Sequence, residues 1–159
     1  MMSFDPQKAS KMTKIFSKMK KNLSKTITDP GESHLQFSAA VKGLYYISET
    51  DAEIVPYLGE KAEAVTRDEI LRQTARADAD GFEEVAPDAF FAQLTGLQDW
   101  FDAARKERAA RFAALYEDLK KGLRDLHVFR IGQTRIDIYV VGIDAEGRLA
   151  GIKTQAVET

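Results

Sequence analysis

Residues 127–159 limit what this chain can fold into more than any other stretch. Three β-prone runs, His127–Ile131, Thr134–Ile143 and Arg148–Val157, follow one another with only short turns between them. Asp144-Ala145-Glu146-Gly147 is the turn before the third. The pattern predicts an antiparallel β-meander. The third run does not trail into a frayed polar tail, as most chain ends do. Ile152, Thr154, Ala156 and Glu158 alternate with Lys153, Gln155, Val157 and Thr159, and no Pro interrupts them. A sheet that holds this end would present a carboxylate, the Thr159 hydroxyl and the Glu158 side chain at a fixed place. These are hard oxygen groups, of the kind Mg²⁺ or Ca²⁺ prefers.

A chain of 159 residues, 44% hydrophobic and 30% charged, suits one globular domain and excludes a disordered one. It has no apolar run of 18 residues, so no membrane span is expected. The lack of Cys excludes a disulfide framework, a thiolate metal site and a Cys nucleophile. That usage fits the cytosol, and Met1–Pro6 has neither the apolar core nor the small-residue cleavage site of a signal peptide. A cytoplasmic protein is expected.

Charge divides the chain. Residues 1–30 carry seven Lys against Asp5 and Asp29, a net +5. Residues 31–159 carry 16 basic and 23 acidic side chains, a net −7. An acidic body repels nucleic acid and attracts a basic partner. In the leader, Met12, Ile15, Phe16, Met19 and Leu23 fall at helical spacing among lysines, which predicts an amphipathic helix over 8–25. Two readings of it stand side by side: a helix that binds anionic lipid or nucleic acid, and a segment that packs on its own domain or is disordered. Thr28-Asp29-Pro30-Gly31 is a breaker, and the domain boundary is placed there, giving a leader over 1–30 and a domain over 31–159.

Within the domain, residues 34–47 carry an apolar stripe of Leu35, Ala39, Val41, Leu44 and Ile47, read as a helix that ends at Ser48-Glu49-Thr50-Asp51. Ile54–Leu58 reads as an edge strand because of Pro56. Thr66 with Glu69 has the spacing of a capping box and opens a helix through about Thr74. Asp78-Ala79-Asp80-Gly81 is a turn, Phe82–Val85 a short strand, and Pro87-Asp88 opens a short helix over Ala89–Leu94. A long helix follows Asp99, with Asp99 as its cap, Trp100 as its first residue and Asp102 two residues further on.

Catalytic patterns are missing. His34 and His127 have no metal-pair spacing and read as solvated or helix-end residues. No glycine loop precedes a helix to cradle phosphate, and no Gly-x-Ser-x-Gly elbow is present. Neither an enzyme nor a cofactor is expected. Three acidic features remain, each with a structural reading beside the functional one. Glu49 is either a solvated loop carboxylate or a partner contact. Asp99 with Trp100 is either a cap and a core residue or an exposed anchor at a partner surface. Glu158-Thr159 is either a sheet edge or the oxygen set described above.

Four segments, in order, carry a resemblance. They are Gly43-Leu44-Tyr45-Tyr46-Ile47-Ser48-Glu49-Thr50, Phe90-Phe91 leading to Gln98-Asp99-Trp100-Phe101, Val128–Gly132 into Ile136–Gly142, and Gly147–Thr159. Together they resemble the nuclease A inhibitor family, small proteins that block sugar-nonspecific DNA/RNA endonucleases, over roughly residues 35–159. The resemblance implies an α/β (α+β) fold, a three-layer α/β/α sandwich of the PR-1-like kind. It also implies that Glu49, Asp99 with Trp100, and Thr159 meet the nuclease, Thr159 at its catalytic Mg²⁺. A monomer acting in a 1:1 complex is expected. The basic leader has no counterpart in the family pattern, and Gly59–Ala64 is more charged than that pattern. The alternative to an inhibitor is a diverged binding module that uses the leader on membrane or nucleic acid.

Overall fold

The computed structural model describes residues 31–77, 80–98, 100 and 102–159. The leader helix, the Asp78-Ala79 half of the expected turn and the placement of Asp99 lie outside the described residues. The elements run α1 Gly31–Ala40, β1 Tyr45–Ile47, β2 Asp51–Glu53, β3 Val55–Lys61, α2 Arg67–Gln73, β4 Phe82–Val85, α3 Pro87–Thr95, α4 Ala103–Gly122, β5 Arg124–Ile131, β6 Arg135–Ile143 and β7 Arg148–Val157.

Five strands form one antiparallel sheet in the order β3-β7-β6-β5-β4, and β1 pairs with β2 in a separate hairpin. The expected meander is β5-β6-β7, with Val140 opposite Val128 on one side and Ile152 on the other. β3 lies at the sheet edge, where Pro56, with no N–H to donate, is tolerated. Side chains alternate across a strand, and here both faces are covered. On one face Val128, Ile138, Val140 and Ile152 pack with Phe37, Phe91, Phe112, Leu115 and Leu119 of α1, α3 and α4. On the other, Phe129, Ile131, Tyr139, Val141 and Leu149 pack with Val65, Ile70 and Leu71 around α2. That is why β5 and β6 read as nearly continuous apolar runs. Each such buried side chain contributes about 1.5–3 kcal/mol. The fold is mixed α+β, with helices on both faces of the sheet.

Local chemistry explains the boundaries. The Thr66 hydroxyl accepts from the Glu69 N–H at 3.1 Å and starts α2 as expected. The Glu69 carboxylate does not reach back to the cap; it accepts from Arg72 and Gln73 instead. Two expectations are corrected. The helix read over 34–47 stops at Ala40, because Gly43 takes a left-handed φ of +72° that ends it. Tyr45, Tyr46 and Ile47 are aromatic or β-branched and form a strand instead. Ser48-Glu49-Thr50 is therefore a hairpin turn, not a helix end. The buried positions of the segment are Phe37, Val41 and Leu44, while Leu35 and Ile47 stay exposed. The second correction concerns α4. Its cap is Asp102, whose carboxylate accepts from the Arg105 N–H at 2.9 Å, so Trp100 precedes the helix instead of opening it. Among the described residues no helix is long and apolar enough to cross a membrane.

Candidate functional site

The site lies along β7 beyond the start of β3. β3 pairs with β7 no further toward the chain end than Val55 opposite Lys153. Beyond that point β7 would show an open edge, and the β1–β2 hairpin covers it. The Thr154 hydroxyl donates to the Glu53 carbonyl at 3.1 Å. Both backbone groups of Val157 then meet the hairpin turn: its N–H donates to the Ser48 hydroxyl at 3.0 Å, and its carbonyl accepts from the Glu49 N–H at 3.3 Å. Ser48 is held in turn by its own N–H and hydroxyl, which donate to the Thr50 carbonyl at 3.0 and 3.2 Å.

The hairpin is itself seated. Tyr46 turns inward and stacks on Phe90, ring centres 5.9 Å apart. Arg111 of α4 donates to the carbonyls of Ala40 and Lys42, at 3.0 and 2.7 Å, and so anchors the turn that leads into β1. Tyr45 and Ile47, on the opposite face of β1, point away from the core and are about half exposed.

The last two residues leave the ladder but stay fastened. The Glu158 N–H donates to the Thr134 carbonyl at 2.9 Å. Arg130 donates to the Glu158 carboxylate at 2.5 Å and lies 3.6 Å from Glu83. Burial disfavours the Arg130 charge, but its hydrogen bond and ion pair with Glu158 outweigh that, and its pKa stands above the ordinary arginine value. The Thr159 N–H and hydroxyl both donate to the same Glu49 oxygen, at 3.2 and 2.8 Å. Glu49 and Thr159, 110 positions apart, thus form one exposed unit.

Three of the residues picked out from sequence, Glu49, Glu158 and Thr159, are brought together in this way. Glu158 is the one whose carboxylate is already met by a cation, Arg130. Trp100 lies along the outward side of the hairpin, 69% exposed, with the Arg105 guanidinium 5.2 Å from its ring centre. It lines a groove of about 280 Å³ with Tyr45, Ile47, Leu94, Arg108 and Phe112. Asp99 lies outside the described residues. Among those residues no three His, Cys, Asp or Glu side chains come together as metal ligands.

His127, expected as a solvated or helix-end residue, is partly exposed and lies in β5. Its ring nitrogens contact Glu84 at 2.5 Å and Asp125 at 2.9 Å, and it stacks on Phe129. Burial opposes its charge, but the two carboxylates win and its pKa is raised. Asp125 is held below the usual carboxylate value, first by its hydrogen bond to His127. This cluster lies on the β4–β5 side of the sheet, and it stabilises the fold there.

Sequence reasoning missed Ser48, Arg130 and Arg108. Arg130 carried a signal, a lone cation in the apolar run Val128–Ile131. Ser48 carried none, since its role depends on a strand that arrives about 110 residues later.

A search of curated proteins found no match to the chain. The model of the NuiA family, described as nuclease A inhibitor-like protein, matches residues 32–159, from the second residue of α1 to Thr159. The chain belongs to the nuclease A inhibitor-like family.

Proposed function

We propose that the protein inhibits a Mg²⁺-dependent, sugar-nonspecific DNA/RNA endonuclease by occupying its active site with Thr159. The observation that carries this reading is the double hydrogen bond from Thr159 to Glu49. The Thr159 hydroxyl spends its proton on Glu49, which leaves the lone pairs of an exposed oxygen to meet a cation. A nuclease cleft is built to hold phosphate oxygens against a hard cation and basic side chains. Oxygens fixed at the same places fill that cleft and offer no scissile bond.

Fixing the chain end beforehand removes an entropy cost that a loose tail would meet on binding. Glu49 keeps a second oxygen for an Arg, a Lys or a metal-bound water of the nuclease. Glu158 acts mainly through Arg130, holding the tail in line. Trp100 supplies buried contact area at the rim, with Asp99 beside it in sequence as a further contact. The net −7 of the domain steers it toward a basic cleft. One molecule would block one nuclease.

Digestion of plasmid DNA by a panel of Mg²⁺-dependent nonspecific nucleases, the host's own included, tests the reading. The untagged protein should block at least one member at a 1:1 ratio. Undiminished digestion by every member at excess protein would refute it.

A further inference from the structure

The groove beside Trp100 has a composition that the tail mechanism does not use. Its apolar wall includes Tyr45, Ile47, Leu94 and Phe112, of which Tyr45 and Ile47 are about half exposed. Among the described residues its charged lining residues are Arg105 and Arg108. Arg108 is half-buried, and it also lines the neighbouring pocket over Gly43, where Asp51, Glu107 and Arg111 are found. Arg105 already lies against Trp100, and Arg111 is committed to backbone carbonyls. Among the described residues no ion pair or hydrogen bond engages the Arg108 guanidinium.

A guanidinium partly withdrawn from water, with no ion pair or hydrogen bond formed to it among the described residues, is unfavourably placed until an anion reaches it. A carboxylate satisfies the planar fork with two parallel hydrogen bonds. The apolar wall beside it suits an aliphatic or aromatic side chain. Nucleic acid offers the anion too, but as a run of phosphates that a domain of net charge −7 repels, whereas one carboxylate beside an apolar side chain matches one guanidinium beside an apolar wall.

We propose that this groove is a second contact on the target nuclease and receives an acidic loop of it, an apolar side chain against Tyr45, Ile47 and Trp100 and a carboxylate on Arg108. This assignment rests on the inhibitor reading. The tail gives a geometry shared by any metal-dependent nuclease cleft, and the groove discriminates among nucleases by what lies outside that cleft.

The test compares wild type, Arg108→Gln, Arg108→Lys and Lys106→Gln against the nuclease panel, with thermal unfolding of each variant. Arg108→Gln should raise the inhibition constant about tenfold or more at an unchanged unfolding midpoint. Arg108→Lys, which keeps the charge and loses the fork, should fall between it and wild type. Lys106→Gln, on the same helix but not lining the groove, should leave inhibition unchanged. If Arg108→Gln fails to fold, Ile47→Ser on the apolar wall should show the same loss. Wild type that inhibits a nuclease while Arg108→Gln and Ile47→Ser inhibit it equally well overturns the groove and leaves the inhibitor reading intact. Wild type that inhibits no nuclease overturns both. Binding of a fluorescent single-stranded oligonucleotide by wild type, lost in Arg108→Gln, overturns the assignment in favour of nucleic acid.

Discussion

The two sides of the β1–β2 hairpin leave their polar groups in opposite states. Toward β7, the Ser48 hydroxyl, the Glu49 N–H, both backbone groups of Val157 and the Thr159 N–H and hydroxyl are all paired within the protein. Toward α4, Tyr45 and Ile47 are half exposed, Trp100 more so, and Arg108 has no internal counter-ion among the described residues. The first side is finished before any partner arrives. On the proposed reading, the second is where a partner adds contacts. A surface made this way separates two tasks: the tail supplies fixed geometry, and the groove supplies area and charge.

That contrast predicts a ranking of effects. Removing Glu158 and Thr159 should weaken inhibition more than about a hundredfold, since an interface usually draws most of its energy from a few such groups. The unfolding midpoint should fall by no more than loss of the Arg130–Glu158 pair accounts for, about 1 kcal/mol, because both residues are exposed. A large drop in the midpoint would mean that the tail is structural instead. Glu49→Ala leaves the Thr159 N–H and hydroxyl without their acceptor. It should cost about 2 kcal/mol of inhibition and under about 1 kcal/mol of stability. Inhibition titrations paired with urea unfolding would separate the two.

Arg130→Gln sharpens the comparison from the other end of the tail. The Arg130 side chain is only 15% exposed, and the substitution leaves Glu158 unpaired. The expected loss is about 1 kcal/mol of stability and a smaller loss of inhibition, because the Glu158 N–H still holds the Thr134 carbonyl. Inhibition that falls as far as in the tail deletion would make Arg130 a direct contact.

The smallest effect concerns pH and lies away from the site. The pKa of His127 is raised, so its protonated form favours the fold. That contribution is full below about pH 6.5 and is lost as the pH rises through the raised value. Asp125 is lowered, so its contribution is present above about pH 4 and is lost as the pH falls through its folded value. The wild-type unfolding midpoint should therefore decline between about pH 6 and 8, and His127→Gln should flatten that decline. Inhibition should follow neither trend. An inhibition profile that tracks His127 would tie the cluster to the site.

Much of the fold was legible because its signals are local. The meander strands alternate apolar side chains over tight turns, Thr66 caps α2 from three residues away, and Pro56 marks an edge. Errors arose where two local signals competed. Residues 34–47 carry an apolar stripe at helical spacing, and a left-handed Gly43 with a strand-forming Tyr45–Ile47 overrode it. Asp99 and Asp102 are both plausible caps, and only the hydrogen bond to Arg105 chooses Asp102. Within the site, Glu49 and Thr159 were legible as residues but not as a pair. Their contact needs the hairpin to take over the β7 edge beyond the start of β3, which is a property of sheet topology and not of any segment. Arg108 was legible only as part of a charged helix face. That no ion pair forms to it among the described residues emerges only when the hairpin packs beside α4.

The measurement that tests the central claim most directly is inhibition of a susceptible nuclease by the protein with two glycines added after Thr159. The addition leaves the hydrogen bonds from Thr159 to Glu49 in place and puts new chain where the cleft would meet the Thr159 oxygens. The account predicts an unchanged unfolding midpoint and a loss of inhibition of more than about a hundredfold. Inhibition by the extended protein at the same ratio as wild type would contradict it, and would place the inhibitory contact away from Thr159.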